Sequence, residues 1–176
     1  MGEKIYLSPL NPEDYELFGE RMNNPETQKN AGGITETRSI PRLKEWLEEM
    51  SKDTKQIYFA IVKKESNECV GFIFLRDLNL DPPHRTAWLG INIGKSEERW
   101  KWYGKEAMKC ILNYGFNTLN LNNIMLTVYE FNENARKCYE KCWFTIIGTR
   151  RQAYFCDGKY HDTIYMDITK DDFNQS

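Results

Sequence analysis

The residues whose types and spacing are best suited to ligand binding lie in the segment Arg99–Met108, which reads RWKWYGKEAM. It combines three cations, Arg99, Lys101 and Lys105, with Gly104 in a short turn, and an amphipathic helix follows. The first backbone amides of a helix lack intrahelical partners, and the helix dipole favours negative charge there. A basic turn that opens a helix therefore predicts an anion site, with phosphate as the expected ligand. Taken alone, a cation-rich turn before a helix is more often simply solvated.

Two predicted elements hold this turn in place. Upstream, Trp88–Gly94 (WLGINIG) alternates apolar residues with a period of two, which predicts a half-buried strand. Downstream, Tyr103–Leu119 carries apolar residues at steps of three and four, which predicts an amphipathic helix packed on that strand. The phosphate site is thus expected where a strand ends and a helix begins.

A second segment that carries reactive side chains is Asn132–Phe144 (NENARKCYEKCWF), whose residue pattern predicts another helix. Its Tyr139 carries a phenol that stays protonated near neutral pH and is able to act as an acid. The helical spacing from Ala135 is also typical of a core tyrosine. Cys138 and Cys142 lie one turn apart without a nearby His pair, so we predict small buried apolar residues there and no metal.

Both segments resemble sequence motifs of the GNAT N-acetyltransferases. The first is similar to motif A, in which Gln or Arg is followed by two residues, a glycine, one residue, and then glycine or alanine. Arg99 and Gly104 match the ends of that pattern, and Trp102 stands at its middle glycine. The second is similar to motif B, close to NxxAxxxYEKxGF, in the ribosomal-protein and polyamine acetyltransferase branch. It matches motif B at Asn132, Ala135, Tyr139, Glu140, Lys141 and Phe144.

The order of the predicted elements agrees with that family along nearly the whole chain. The patterns predict a strand, two helices, three strands, a helix, a strand, a helix and two strands around the turn Asp157–Gly158. We therefore expect an α+β fold, a single GNAT-like domain over residues 1–176 whose mixed, mostly antiparallel sheet has about seven strands and about four flanking helices. Asn11 and Pro12 are expected to start the first helix, and the turn-rich residues 23–37 to form a loop.

The resemblance implies that acetyl-CoA binds between the strand at Trp88 and the strand ending near Phe131, which are expected to splay apart. The strand backbone would bind the pantetheine arm and the basic turn the pyrophosphate. Asn132 and Asn134 are expected to contact the cofactor or to cap their helix. The remaining cofactor contacts are expected from Ile91, Asn92, Ile93, Arg99, Trp100, Lys101, Trp102, Tyr103, Gly104 and Lys105.

The reaction that the resemblance implies is acetyl transfer from a thioester to an amine by direct attack. Tyr139 is the expected catalytic residue, because a phenol with a pKa near 10 is able to protonate a thiolate whose acid has a pKa of about 8.5. A Glu that is frequent in this branch is replaced here by Trp88. The general base therefore stays open among Glu130, His84, His161 and water.

Composition limits the function classes and the partners. The chain has 176 residues, 40% of them hydrophobic, and a formal charge of −2, so no overall basic field favours nucleic acid. No apolar run is long enough to predict a membrane span. Five cysteines without a CxxC pair, and an N-terminus without an apolar signal region, predict a reduced, cytoplasmic protein. The expected acceptor is a small-molecule amine such as a polyamine or a protein N-terminus, and resemblance suggests a homodimer.

Three tryptophans, Trp100, Trp102 and Trp143, occupy glycine positions of the family motifs. Glycine suits such turns because it adopts positive φ and lets a phosphate approach the backbone, whereas a bulky residue at positive φ costs roughly 1–2 kcal/mol. Either the natural protein carries glycine there, through a genetic code that reads UGA as glycine, or the indoles are tolerated beside the nucleotide. Both hypotheses predict weakened acetyl-CoA binding. The alternative function is a catalytically impaired GNAT module that binds CoA or a partner.

Overall fold

A computed structural model describes residues 2–11, 14–31, 39–94 and 103–175. Seven strands in these residues form one sheet. In chain order they are β1 (Ile5–Pro9), β2 (Ile57–Lys63), β3 (Cys69–Asn79), β4 (Thr86–Ile93), β5 (Asn123–Tyr129), β6 (Thr145–Cys156) and β7 (Lys159–Thr169).

Six helices accompany the sheet within the described ranges. They are α1 (Tyr15–Met22), α2 (Pro25–Ala31), α3 (Ile40–Lys52), α4 (Tyr103–Asn113), α5 (Glu133–Glu140) and α6 (Lys170–Asn174). A π-helical turn, Tyr114–Thr118, continues α4. None of the described helices has both the length and the apolar character that a membrane span requires.

The strands lie in the order β1-β2-β3-β4-β5-β7-β6. Only β4 and β5 run parallel; each other neighbouring pair is antiparallel. The predicted mixed, mostly antiparallel sheet of seven strands is therefore confirmed. β6 and β7 form the predicted closing hairpin, whose turn residues Asp157 and Gly158 have φ of 50° and 78°. Two successive positive φ angles fit a two-residue hairpin turn, because they match the twist of the strands.

The two faces of the sheet are covered differently. Alternate side chains of a strand point to opposite faces, and one set, which includes Ile73, Leu89 and Leu126, forms a large core with α4. On the other face, Phe72 of β3 lies in a smaller core under α1 and α3. That smaller core takes its strand residues from β1, β2 and β3 among the described residues. The half of this face formed by β4, β5 and β7 lies outside the smaller core.

The predicted loop over residues 23–37 is wrong in its first part, where α2 forms. Pro25 is the first residue of α2, and the Asn24 side-chain oxygen accepts hydrogen bonds from the backbone N–H groups of Glu26 (3.0 Å) and Thr27 (3.1 Å). An asparagine cap followed by proline is a helix-start signal. The prediction gave more weight to the many turn-forming residues around it.

Two other helix ends differ from the prediction. The expected cap at Asn11 is wrong, because Asp14 directly precedes α1. The backbone N–H of Asn11 instead donates to the Asp14 carboxylate at 2.9 Å; Pro12 lies outside the described residues. The short α6 was not predicted, although Thr169 and Asp172 form a reciprocal capping box at its start.

Candidate active site

The central feature of the site is an opening between β4 and β5. The two parallel strands pair only from Thr86 to Trp88 on β4 and from Asn123 to Met125 on β5. Both strands continue beyond the paired part, to Ile93 and Tyr129 respectively. The expected splaying of these strands is therefore confirmed. A wedge-shaped opening of this kind accepts an extended chain, because the facing strand edges present backbone donors and acceptors.

One wall of the opening is the second half of β4, which carries the predicted arm-binding residues. Asn92 pairs with Phe72 of β3, and its side-chain oxygen is buried without a hydrogen-bond partner among the described residues. A buried acceptor without a donor is costly, at about 1–3 kcal/mol. An amide N–H of a pantetheine arm would supply the missing donor, so this wall fits acetyl-CoA. The contacts of Ile91, Asn92 and Ile93 with the arm stay predictions.

β3 pairs with β4 on the side away from the opening, and its close approach holds this wall in position. A Cβ atom placed on Gly71 would lie 2.3 Å from the backbone oxygen of Asn92. Real side chains do not approach a backbone oxygen this closely, so only glycine fits at this point of β3. The position of β4 beside the opening therefore depends on a residue that the sequence motifs do not include.

The start of α4 lies close to the end of β4, as the predicted phosphate site requires. Tyr103 is buried in the core, and a Cβ on Gly104 would lie 3.8 Å from the Ile93 side chain. That separation is an ordinary contact, which agrees with a motif position that accepts glycine or alanine. The residues of the turn itself, Arg99, Trp100, Lys101 and Trp102, lie outside the described residues. Their contacts with a pyrophosphate stay predictions.

The second motif forms α5 at the carboxyl end of β5. Asn132 caps α5, because its side-chain oxygen accepts the backbone N–H of Ala135 at 3.2 Å. Asn134 is exposed in the first turn. The capping role expected of Asn132 is thus confirmed, whereas cofactor contacts by Asn132 and Asn134 stay predictions.

Tyr139, the predicted acid, is half-buried on the inner side of α5. Its ring packs against the large core and lies 6.1 Å from the ring of Phe144, centroid to centroid. Burial raises the pKa of Tyr139 above its usual range near 10, because a phenolate would lose hydration there. The hydroxyl therefore keeps its proton at neutral pH, as a general acid must.

Contacts between α4 and the segment Glu133–Phe144, which contains α5, bring the two motifs together in space. The Lys109 ammonium of α4 lies 5.4 Å from the ring centroid of Trp143. The pKa of the Cys138 thiol falls to about 7, chiefly because it shares a hydrogen bond with Cys142, and also because Lys141 and Lys105 are near. Cys142 is buried as predicted, but Cys138 is only partly buried and has a polar role.

Trp143 bears out the expected reason for glycine in motif B. Its φ is 67°, in the left-handed region that glycine adopts without strain. For an L side chain this conformation costs roughly 1–2 kcal/mol. The indole packs against the large core beside Phe144 and contacts Lys109.

Two of the candidate bases lie together beyond β5. The Nδ1 atom of His161 lies 2.9 Å from Oε1 of Glu130, and the His161 ring is buried with its edge against Phe131. His84 precedes β4 at the end where β4 and β5 are paired. The open end lies further along β4, beyond Trp88, and the role of His84 as a base stays a prediction.

Sequence reasoning missed an aromatic group on the same side of the sheet as His161. Tyr154 of β6 pairs with His161 of β7, and its ring stacks on Tyr129 with centroids 4.0 Å apart. The Phe131 ring in turn lies 5.6 Å from that of Tyr129. Alternation along β5 was the available signal, because Val128 faces the core and Tyr129 therefore faces the other side.

The fold and the site together define a class of protein. A family model for the acetyltransferase (GNAT) domain matches residues 4–145, so the chain belongs to the GNAT acetyltransferases. Such an enzyme uses acetyl-CoA and acetylates an amine.

Comparison with individual proteins agrees with this class. The crystal structure of spermidine N-acetyltransferase from Vibrio cholerae in complex with CoA and spermine has a TM-score of 0.89 and 25% identity, covering 97% of this chain and 98% of that one. A spermidine N(1)-acetyltransferase of Vibrio cholerae is 29% identical over 130 residues, 74% of this chain and 73% of that protein. The prophage-derived N-acetyltransferase YokL of Bacillus subtilis is 27% identical over 173 residues, 98% of this chain and 93% of that protein.

Proposed function

We propose that residues 1–176 act as a single domain that acetylates a primary amine of a small cationic molecule such as a polyamine. One observation carries this proposal: β4 and β5 stop pairing after Trp88 and Met125, Tyr139 packs against the large core on one face of the sheet, and Glu130 contacts His161 on the other face. An acid and a candidate base thus flank the opening from opposite faces. The spermidine acetyltransferases among the relatives support a polyamine over a protein N-terminus.

Acetyl-CoA, when bound, supplies a thioester that the amine attacks directly. Tyr139 donates its hydroxyl proton to the departing thiolate, because burial keeps this phenol protonated. We therefore propose Tyr139 as the general acid. Replacing its phenol by the phenyl ring of phenylalanine would remove the proton and leave the packing on Phe144 intact, so Tyr139→Phe tests this role.

The Glu130–His161 pair is the proposed acceptor of the proton that the amine loses. A carboxylate that binds Nδ1–H of a histidine holds the ring in one tautomer, which leaves Nε2 as the basic nitrogen. Tyr154 on β6 and Asp157 in the hairpin turn are further titratable groups near His161, and Lys29 pairs with Asp157. Burial of His161 against the Phe131 ring restricts the orientation of its imidazole, and we propose that the amine binds on this face of the sheet.

The function is tested by measuring thiol release from acetyl-CoA with polyamines, N-terminal peptides and aminoglycosides. Turnover is expected with polyamines, and Tyr139→Phe is expected to lower kcat by about 10²- to 10³-fold with little change in KM. Tyr114→Phe is the matched control, because this half-buried tyrosine packs on Phe59 away from the opening. Equal activity of both variants would remove Tyr139 from the mechanism. CoA binding without turnover on any amine would instead support the impaired module.

The proposed base is tested by the pH dependence of kcat/KM. Glu130→Gln removes the carboxylate that orients the His161 ring, and His161→Asn removes the proposed base. Both variants should therefore lose most activity on the high-pH plateau, where the wild-type base works, and the acidic limb should flatten in His161→Asn. Glu133→Gln, an exposed carboxylate on α5, is the charge-matched control. If the acidic limb of the pH profile of kcat/KM is identical in wild type and both variants, the base is water and the Glu130–His161 pair has no such role.

We also keep the prediction that two copies associate. The edge strand β6 supports it, because Ile146 and Ile147 are adjacent and 44% and 51% exposed. Light scattering should give the mass of two chains, and Ile147→Lys should return the mass of one.

A further inference from the structure

An ammonium group of the protein itself occupies a cation site on the face where we place the acceptor. Nζ of Lys29, on α2, lies 5.5 Å from the ring centroid of Phe131. The same ammonium forms a hydrogen-bonded ion pair with the carboxylate of Asp157, in the turn between β6 and β7. A carboxylate and the face of an aromatic ring both bind ammonium ions well.

A backbone contact holds α2 in the same place. The hydroxyl of Tyr154 donates a hydrogen bond of 3.1 Å to the carbonyl oxygen of Lys29. Tyr154 is itself stacked on Tyr129, with ring centroids 4.0 Å apart. This hydrogen bond fixes the backbone of Lys29 against β6. The position of its side chain over Phe131 therefore depends on the packing of α2 against the β6–β7 hairpin.

The cation site lies level with the opening between β4 and β5. Trp88 and Met125 are the last paired residues of these parallel strands. Because parallel strands advance equally per residue, Tyr129 lies at the same height as Asn92, four residues further along each strand. Phe131 lies two residues beyond Tyr129, so we place the Lys29 ammonium near the open end of the wedge.

Resting on the function proposed above, we propose that Phe131 and Asp157 bind a second ammonium of a diamine or polyamine acceptor, and that Lys29 occupies this site until the acceptor displaces it. The side chains of Lys29 and Asp157 are 43% and 64% exposed. Exposed ion pairs are weak and exchange readily. The contact with Asp157 raises the pKa of Lys29, so its ammonium stays charged and competes with the acceptor at any pH suited to turnover.

This arrangement makes Lys29 a residue that determines specificity. A monoamine does not need the cation site, so Lys29 does not oppose its binding. A polyamine must compete with Lys29, and its apparent affinity equals its intrinsic affinity multiplied by the fraction of molecules in which the site is vacant. If Lys29 occupies the site in about 70–90% of molecules, removing its charge should strengthen polyamine binding by about 3- to 10-fold.

The test compares KM values for spermidine and for a monoamine of similar length, n-octylamine. Lys29→Gln should lower KM for spermidine by about 3- to 10-fold and leave KM for the monoamine unchanged. Lys137→Gln is the matched control, because Lys137 also forms an exposed ion pair but lies on α5. An equal effect of the two lysine variants, or an equal effect on both amines, would overturn the proposal.

A second variant separates the cation site from a general change of charge. Asp157→Asn should raise KM for spermidine alone, and in that background Lys29→Gln should give no further gain. If no amine supports thiol release, the proposed function fails, and calorimetric titration of spermidine into the protein still tests the site. Tighter binding to the Lys29→Gln variant than to wild type would support the site, and equal binding would refute it.

Discussion

Replacement of Gly71 by alanine tests how β3 positions the wall of the opening. The new Cβ would lie 2.3 Å from the backbone oxygen of Asn92, about 1 Å inside the ~3.3 Å of a close carbon–oxygen contact. Overpacking of this kind destabilises the folded state by about 1–3 kcal/mol. Alanine also lowers the conformational entropy of the unfolded chain, which stabilises the folded state by about 0.4–1 kcal/mol. The contacting atom is backbone and cannot rotate away. We therefore expect an overpacking cost at the upper end of its range, which leaves a net loss of about 2 kcal/mol in the free energy of unfolding.

Urea denaturation measures this loss. With a denaturant dependence of about 2 kcal/mol per molar urea, the midpoint should fall by about 1 M. Gly148→Ala is the matched control, because nothing lies within 4 Å of its added Cβ, and its stability should stay within about 0.5 kcal/mol of wild type. Displacement of Asn92 should also raise KM for acetyl-CoA. Equal midpoints for Gly71→Ala and Gly148→Ala would refute the close approach of β3 and β4.

Three other outcomes test the helices around the site. Asn132→Ala should lower the free energy of unfolding by about 0.5–2 kcal/mol in urea, because the cap on the Ala135 N–H is lost. Gly104→Ala should leave stability unchanged or raise it by up to about 1 kcal/mol, since its Cβ makes only an ordinary contact. Alkylation of Cys138 by iodoacetamide should rise with pH around a midpoint near 7, where its thiolate forms. In Cys142→Ala, which removes the hydrogen bond that stabilises the thiolate, that midpoint should move to higher pH, and an unmoved midpoint would contradict the pairing of the two thiols.

The elements that carry the site could be predicted from sequence because their signals are short-range. Alternation identified β4, three- and four-residue spacing identified α4, and the turn Asp157–Gly158 identified the last hairpin. The spacing from Asn132 to Tyr139 placed a cap and a phenol on one helix, because both residues belong to the same short segment. The start of α2 was also encoded locally, in Asn24 and Pro25, but surrounding turn formers obscured it.

Only the tertiary structure decided which distant groups meet. Glu130 and His161 are 31 positions apart, and Lys29 and Asp157 are 128 apart. Both contacts depend on β7 lying between β5 and β6 in the sheet, which no local pattern specifies. The opening itself depends on where β4 and β5 stop pairing, after Trp88. The sequence by itself determined the elements and their chemical groups, because backbone preference and side-chain period act over a few residues; strand order and helix docking determined the site, because they bring together groups far apart in the chain.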